Sequence, residues 1–141
     1  LLNVGGNIRT VGNAGAEGEL WKAGIENPDT ENEEKPYIEY VKIAGESIVT
    51  SGSYQRFYIV DGKSYHHIID KDTLMPAEGY LSVSVICKSS ADGDTLSTAL
   101  FCMDLEEGKL LVESLPETEA MWILEDGRKV FSSGFSKYTE K

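Results

Sequence analysis

The stretch LSVSVICKSSADGDTLSTALF, residues 81–101, carries both halves of the fold in one run. Its first part, LSVSVICK (81–88), is apolar and rich in β-branched residues, which predicts a buried strand. Beyond it the spacing changes. Leu96, Ala99, Leu100 and Met103 fall together at about 100° per residue, which predicts a helix. The opposite side of that helix carries Asp94, Thr98, Phe101 and Leu105, with no Lys, Glu or Gln before Asp104. Both sides are therefore expected to be covered, one by a sheet and the other by a cleft or a second layer.

Outward from this run the chain reads mostly as strands. YQRFYIVDGKSYHHIID (54–70) has two β-rich segments around Asp61-Gly62, the strongest short hairpin signature, and AMWILEDGRKVFSS (120–133) repeats the pattern around Asp126-Gly127. LLNVGGNIRTVG (1–12) reads as a strand interrupted by Gly5-Gly6, as at a bulge or a close backbone approach. WKAGIENP (21–28) is a short strand ending at Pro28, DTENEEK (29–35) a solvated acidic loop, and PYIEYVKIAGESIVTSG (36–52) strand material around Gly45. EGKLLVESL (107–115) is a second helical piece stopped near Pro116. The sum is α+β: a mostly antiparallel sheet with one or two helices packed on one face.

A chain of 141 residues, 40% apolar and 26% charged, is expected to form a single domain over 1–141 with a real core. No run approaches the roughly 18–20 apolar residues of a membrane span. The chain opens on strand-like sequence without Met or a leader, so it is expected to be part of something longer. A net charge of −11 repels phosphate backbones and argues against nucleic acid as partner. Cys87 and Cys102 sit in apolar segments at a spacing that matches no zinc pattern, and are expected to be buried free thiols.

Three groups of residues carry candidate chemistry. Asp94 at the head of the helix reads either as an N-cap or, with Thr98 one turn on, as a pair of hard oxygen ligands of the kind Mg²⁺ takes beside phosphate; Ser97 and Asp92 could assist. A two-residue turn at 61–62 pairs Val60 with Lys63, Tyr58 with Tyr65, Phe57 with His66 and Arg56 with His67, so the two histidines face opposite ways. Arg56 beside His67 favours the neutral imidazole that a general base needs, although both histidines also read as ordinary sheet residues. In DKDTLMP (70–76), Asp70, Asp72 and Thr73 either touch a ligand or make Asx-type turns.

NVGGNIRTVG, WKAGIENP, IVTSGSYQR, YHHIID, SVSVI and ADGDTLSTALF, in this order, resemble the ApbE-type flavin transferases (FAD:protein FMN transferases) over nearly all of the chain. The likeness covers about the C-terminal half of a full-length member, the N-terminal half being absent. It implies a T-fold-like α+β architecture and an enzyme that cleaves FAD with Mg²⁺. Such an enzyme attaches FMN to a Thr or Ser hydroxyl of a partner flavoprotein, typically a membrane redox subunit. It implies an extracytoplasmic, often lipid-anchored protein, with membrane association only through the missing region. Carried onto this sequence, Asp94 and Thr98 match the metal ligands, with Ser97 at a neighbouring position, and His67 matches the base. Ile68 matches a position that touches FAD, and Thr50, Ser51 and Gly52 match the loop lining the flavin pocket. Thr73 is counted with the FAD-contacting loop.

The family pattern His-Ile-Ile-Asp-Pro-x-Thr-Gly-x-Pro is departed from at Lys71, in place of proline, and Leu74, in place of glycine. Leucine makes positive φ costly, so a reshaped loop is expected there. Residues 1–141 alone are expected to hold FAD weakly and to have little transferase activity. The alternatives are a non-catalytic flavin-binding or extracellular interaction module, which the altered loop favours, and a FAD pyrophosphate hydrolase releasing FMN and AMP.

Overall fold

The computed structural model describes residues 1–139. Its frame is a six-stranded, wholly antiparallel sheet in the order β1 (Leu2–Val4), β2 (Asn7–Arg9), β5 (Ser47–Gly52), β8 (Tyr80–Cys87), β9 (Glu119–Leu124), β10 (Lys129–Phe131). Two separate ribbons complete the strands: β3 (Trp21–Glu26) with β4 (Tyr37–Ile43), and β6 (Phe57–Val60) with β7 (Lys63–His66). Helices α1 (Ser90–Phe101) and α2 (Leu105–Ser114) follow β8, and a short 3₁₀ turn spans Phe135–Lys137.

The period-two alternation of the strands sorts the core into two layers. Val83, Val85 and Cys87 of β8, with Ala120 and Trp122 of β9, meet Leu100, Phe101 and Val112 of the helices. On the other face Ile48, Ile86, Met121 and Ile123 meet Ala23, Ile25, Val41 and Ile43 of the β3–β4 ribbon, with Phe135 and Tyr138. The sheet is thus covered on both sides, which is why its central strands read as near-continuous apolar runs. The α+β reading with both helices on one face holds. The ribbon covering the second face carries no long-range signal in its own sequence.

Local chemistry fixes the joints. Gly5 and Gly6 both take positive φ (57° and 88°) between the paired residues Val4 and Asn7. That is a two-residue hairpin turn of the type with positive φ at both positions, and not a bulge; Gly6 makes the close backbone approach, its carbonyl accepting from the Thr50 amide at 3.1 Å. Asp61 and Gly62 (φ 50° and 78°) form the predicted turn with the predicted register, Val60 opposite Lys63 and Phe57 opposite His66. Both cysteines are free, Cys87 buried and Cys102 half-buried.

Two expectations about α1 are corrected. Its buried stripe is Gly93, Ser97, Leu100 and Phe101, while Asp94, Thr95, Thr98 and Ala99 are exposed. The helix therefore has a solvated face after all, made of short polar groups and alanine instead of long charged ones. Nor is Asp94 the cap: Ser89 holds that position with extended dihedrals, and its hydroxyl accepts from the Asp92 amide. Gly93 explains how α1 lies so low on the sheet. A Cβ there would stand 2.9 Å from Val49 Cγ2 and 3.2 Å from Cys87 Sγ.

The loop after β7 also departs from expectation. Leu74 sits at φ 57°, the left-handed conformation a glycine would take, with its amide donating to the Asp70 carbonyl at 2.9 Å and its side chain 76% exposed. A leucine thus holds a conformation that costs an L-residue.

Candidate functional site

Relieved of capping, the Asp94 carboxylate has no hydrogen-bond or ion-pair partner among the described residues. It borders a hollow of about 440 Å³ between α1 and the β1–β2 turn, lined also by Gly5, Gly6, Asn7, Arg9, Val49 and Thr50. Asn7 Nδ2 donates to the Ser90 carbonyl at 3.4 Å. The Arg9 guanidinium donates to the Gly45 carbonyl at 2.8 Å and to the Lys88 carbonyl, clamping the loop before α1 to the β2 edge. Asn7 and Arg9 were not singled out in the sequence. The double glycine preceding them was the available signal, because a tight turn there leaves a flat approach to the helix.

One turn beyond Asp94, the Thr98 hydroxyl is exposed, lies 3.2 Å from the Asp94 carbonyl and 3.2 Å from Ser51 Oγ. Ser97 behaves differently. It is fully buried, with Oγ 2.8 Å from Ser51 Oγ and 3.2 Å from the Asp94 carbonyl, so its hydroxyl helps fasten α1 to β5. Strand alternation splits the 50–52 segment as well. Ser51 faces the helix, whereas Thr50 Oγ1 lies 2.8 Å from Ser84 Oγ on the opposite face. Thr50 borders hollows on both faces, and Gly52 is buried where a Cβ would strike the Tyr54 ring at 2.7 Å.

The histidines separate by their partners. His66 Nε2 lies 2.9 Å from the Ala77 carbonyl, which can only accept, and Nδ1 accepts from the Ile68 amide at 3.3 Å. Both nitrogens are used, and the ring packs edge-on to Phe101 at 5.6 Å. His66 is structural. His67 is exposed and uses one nitrogen: Nδ1 lies 3.2 Å from the Arg56 carbonyl and must donate, so in the neutral ring Nε2 keeps its lone pair. That is the tautomer a general base requires.

Ile68, 4% exposed, is buried in the helical layer beside Phe101, and Cys102 Sγ lies 3.8 Å from the Ile69 carbonyl. The segment after β7 is thereby seated at the C-terminal end of α1. Thr73 lies in the Asx-type turn: its amide donates to Asp70 Oδ1 at 2.8 Å and its hydroxyl accepts from the Met75 amide at 3.3 Å. The Thr73 amide first, then the Thr73 side chain and the Asp72 amide, hold the Asp70 carboxyl below the ordinary carboxylate range. Thr73 also borders a separate hollow with Tyr80, Phe101 and Met103. The candidate residues are therefore strung along α1, Asp94 near its start and the segment that follows His67 against its end. No contact joins His67 to Asp94 or Thr98 among the described residues.

The model of the ApbE family matches residues 1–122. The chain belongs to the ApbE family. It is 36% identical to the FAD:protein FMN transferase of Treponema pallidum, an alignment spanning 95% of this chain and 39% of that protein. To that of Klebsiella pneumoniae it is 34% identical, over 94% of this chain and 40% of the relative. The crystal structure of the ApbE protein of Thermotoga maritima superposes with a TM-score of 0.85 at 31% identity, over 97% of this chain and 43% of that one. The flavin transferase ApbE of Vibrio cholerae gives 0.73 at 30% identity, over 96% of this chain and 42% of that one. The chain spans about two fifths of the length of the curated relatives it matches. The buried Phe135 and Tyr138 lie beyond the ApbE match but complete the same core.

Proposed function

We propose that this ApbE chain is part of an FAD:protein FMN transferase that moves FMN from FAD onto a Thr or Ser hydroxyl of an acceptor protein. The observation carrying this reading is the contrast within α1 and the β7 exit. Among the described residues, a carboxylate with no protein partner stands near the start of α1, and an imidazole with one unbonded nitrogen lies beside the segment seated at its other end.

Asp94 and Thr98 fit a divalent cation, being exposed hard oxygens with the carboxylate unpaired among the described residues, the donor set Mg²⁺ prefers when water and phosphate complete its shell. When bound, Mg²⁺ would offset negative charge on the diphosphate as the phosphorus–oxygen bond breaks. The remaining work falls to the chain. Ser51 and Ser97 hold Thr98 and the Asp94 backbone against β5. His67 Nε2 takes the acceptor hydroxyl proton as that oxygen bonds to the phosphorus of the FMN moiety, and AMP leaves with the electron pair of the broken bond. Ile68 and the 50–52 segment contribute to the flavin wall.

Incubating the complete protein with FAD, Mg²⁺ and an acceptor tests this by mass spectrometry. An FMN adduct supports transfer, FMN and AMP without adduct supports hydrolysis, and neither supports a binding module. Residues 1–141 alone are expected to bind FAD weakly, and calorimetry giving micromolar affinity would overturn that. Among the described residues no helix is long and apolar enough to cross a membrane. By family resemblance the complete protein acts outside the cytoplasmic membrane on a lipid anchor, which cell fractionation would test.

A further inference from the structure

The β6–β7 ribbon stands apart from the six-stranded sheet and has two unlike faces. One carries Phe57, Ile59, Ser64 and His66, and His66 docks it on the body through Ala77 and Phe101. The other carries three cross-strand pairs in a row: Val60 with Lys63, Tyr58 with Tyr65, and Arg56 with His67, the last joined by the His67 amide donating to the Arg56 carbonyl at 3.2 Å. On this outer face Arg56, Tyr58, Val60, Lys63 and His67 are exposed, Tyr58 at 65%. The two tyrosines stack with centroids 5.7 Å apart and planes at 14°, and Lys63 Nζ lies 5.6 Å from the Tyr65 ring centre. Among the described residues these three pairs hold two cations, Arg56 and Lys63, and no carboxylate, with Asp61 in the adjoining turn, on a chain whose net charge is −11.

We propose that this outer face is where the acceptor protein docks, through an extended segment whose carboxylates meet Lys63 and Arg56 and whose hydroxyl reaches His67. The inference rests on the transferase reading for what His67 does, and on the ribbon itself for where the segment lies. A flat pair of stacked tyrosines offers area at little entropic cost, and a cationic strip on an acidic molecule selects an acidic partner and repels basic ones. Extended chain rises about 3.3 Å per residue, so a segment with its hydroxyl at His67 sets a residue four positions away opposite Lys63.

The test uses the complete protein and two fluorescent peptides with one central threonine, one bearing Glu and the other Lys four positions to either side. Anisotropy should show tighter binding of the acidic peptide, weakening with salt. Lys63→Glu should weaken that binding about two- to fivefold and strengthen the basic peptide, the range expected of exposed charge pairs. FAD affinity should not change. Equal binding of both peptides, or a preference untouched by Lys63→Glu, overturns the docking surface. A preserved preference that reverses in Lys63→Glu, with no FMN adduct formed on the bound threonine, upholds the surface and overturns the transferase reading alone.

Discussion

Asp94 stands one turn into α1 with its carboxylate unpaired among the described residues, while Ser89 does the capping. Stability and chemistry are therefore carried by different residues, and substitutions should separate them. Asp94→Ala should leave the unfolding free energy within about 0.5 kcal/mol, as for an ordinary exposed position, yet abolish Mg²⁺-dependent turnover of FAD. Ser89→Ala should cost about 1 kcal/mol by loss of the cap and leave turnover largely intact. Denaturant titration alongside an AMP-release assay reads both. Leu74 invites the opposite experiment. A left-handed conformation costs an L-residue about 1–2 kcal/mol, and glycine returns about half of that through unfolded-state entropy. Leu74→Gly, which also restores the family residue, should raise stability by about 0.5–1 kcal/mol, read as a Tm increase of a few degrees. An unchanged or lower Tm would mean the exposed leucine gains something from its position that the bonds of the turn do not reveal.

At the scale of elements, the geometry that matters is how closely α1 lies on β5 and β8. Gly93 permits it, and the Ser51–Ser97 and Ser51–Thr98 contacts lock its rotation. Gly93→Ala should therefore cost about 1–3 kcal/mol despite its better helix propensity, because the new methyl meets Val49 and Cys87. The helix must lift to accept it, carrying Asp94 away from the β1–β2 turn, so the Mg²⁺ requirement for turnover should rise as stability falls. Turnover at unchanged Mg²⁺ demand would show that the close approach serves packing alone. Much of this element was legible beforehand: the helix, the paired Asp94 and Thr98, and the hairpin register that separates His66 from His67 all follow from spacing. The sorting of Ser97 from Thr98 was not, since adjacent hydroxyls differ only in which one the sheet covers.

Over the whole molecule, two cores on the two faces of one sheet share the same strands, so stability is a property of the assembly. Tyr54 reports on it. Its hydroxyl is buried without a hydrogen-bond partner among the described residues, and burial, helped by the charge of Glu26, pushes its pKa from 10.0 up to about 12; Gln55 favours ionisation slightly. A folded pKa raised above the unfolded value means a contribution present in full below pH 10.0 and lost as pH climbs from there to about 12. Two pH units correspond to about 2–3 kcal/mol. Unfolding free energies at pH 8 and pH 11.5 should fall by an amount of that order, with Tyr80 and Tyr138, also raised by burial, adding in the same direction. Tyr54→Phe should flatten the alkaline loss and cost little at pH 8, because it removes an unpaired polar atom. An undiminished alkaline loss in that variant would assign the effect elsewhere.

The order of strands and helices, the two Asp-Gly turns, the free cysteines and the family pattern are written in local spacing and composition, where period, turn chemistry and propensity act over a few residues. Tertiary structure alone decided which of two adjacent hydroxyls, Ser97 or Thr98, is buried and which is exposed. It also settled that Asp94 is not a cap, that the β3–β4 ribbon closes the second face, and that Leu74 keeps a strained backbone. Each of these depends on what distant strands press against the residue, and side-chain partners brought together across tens of residues leave no mark in the spacing of any one segment.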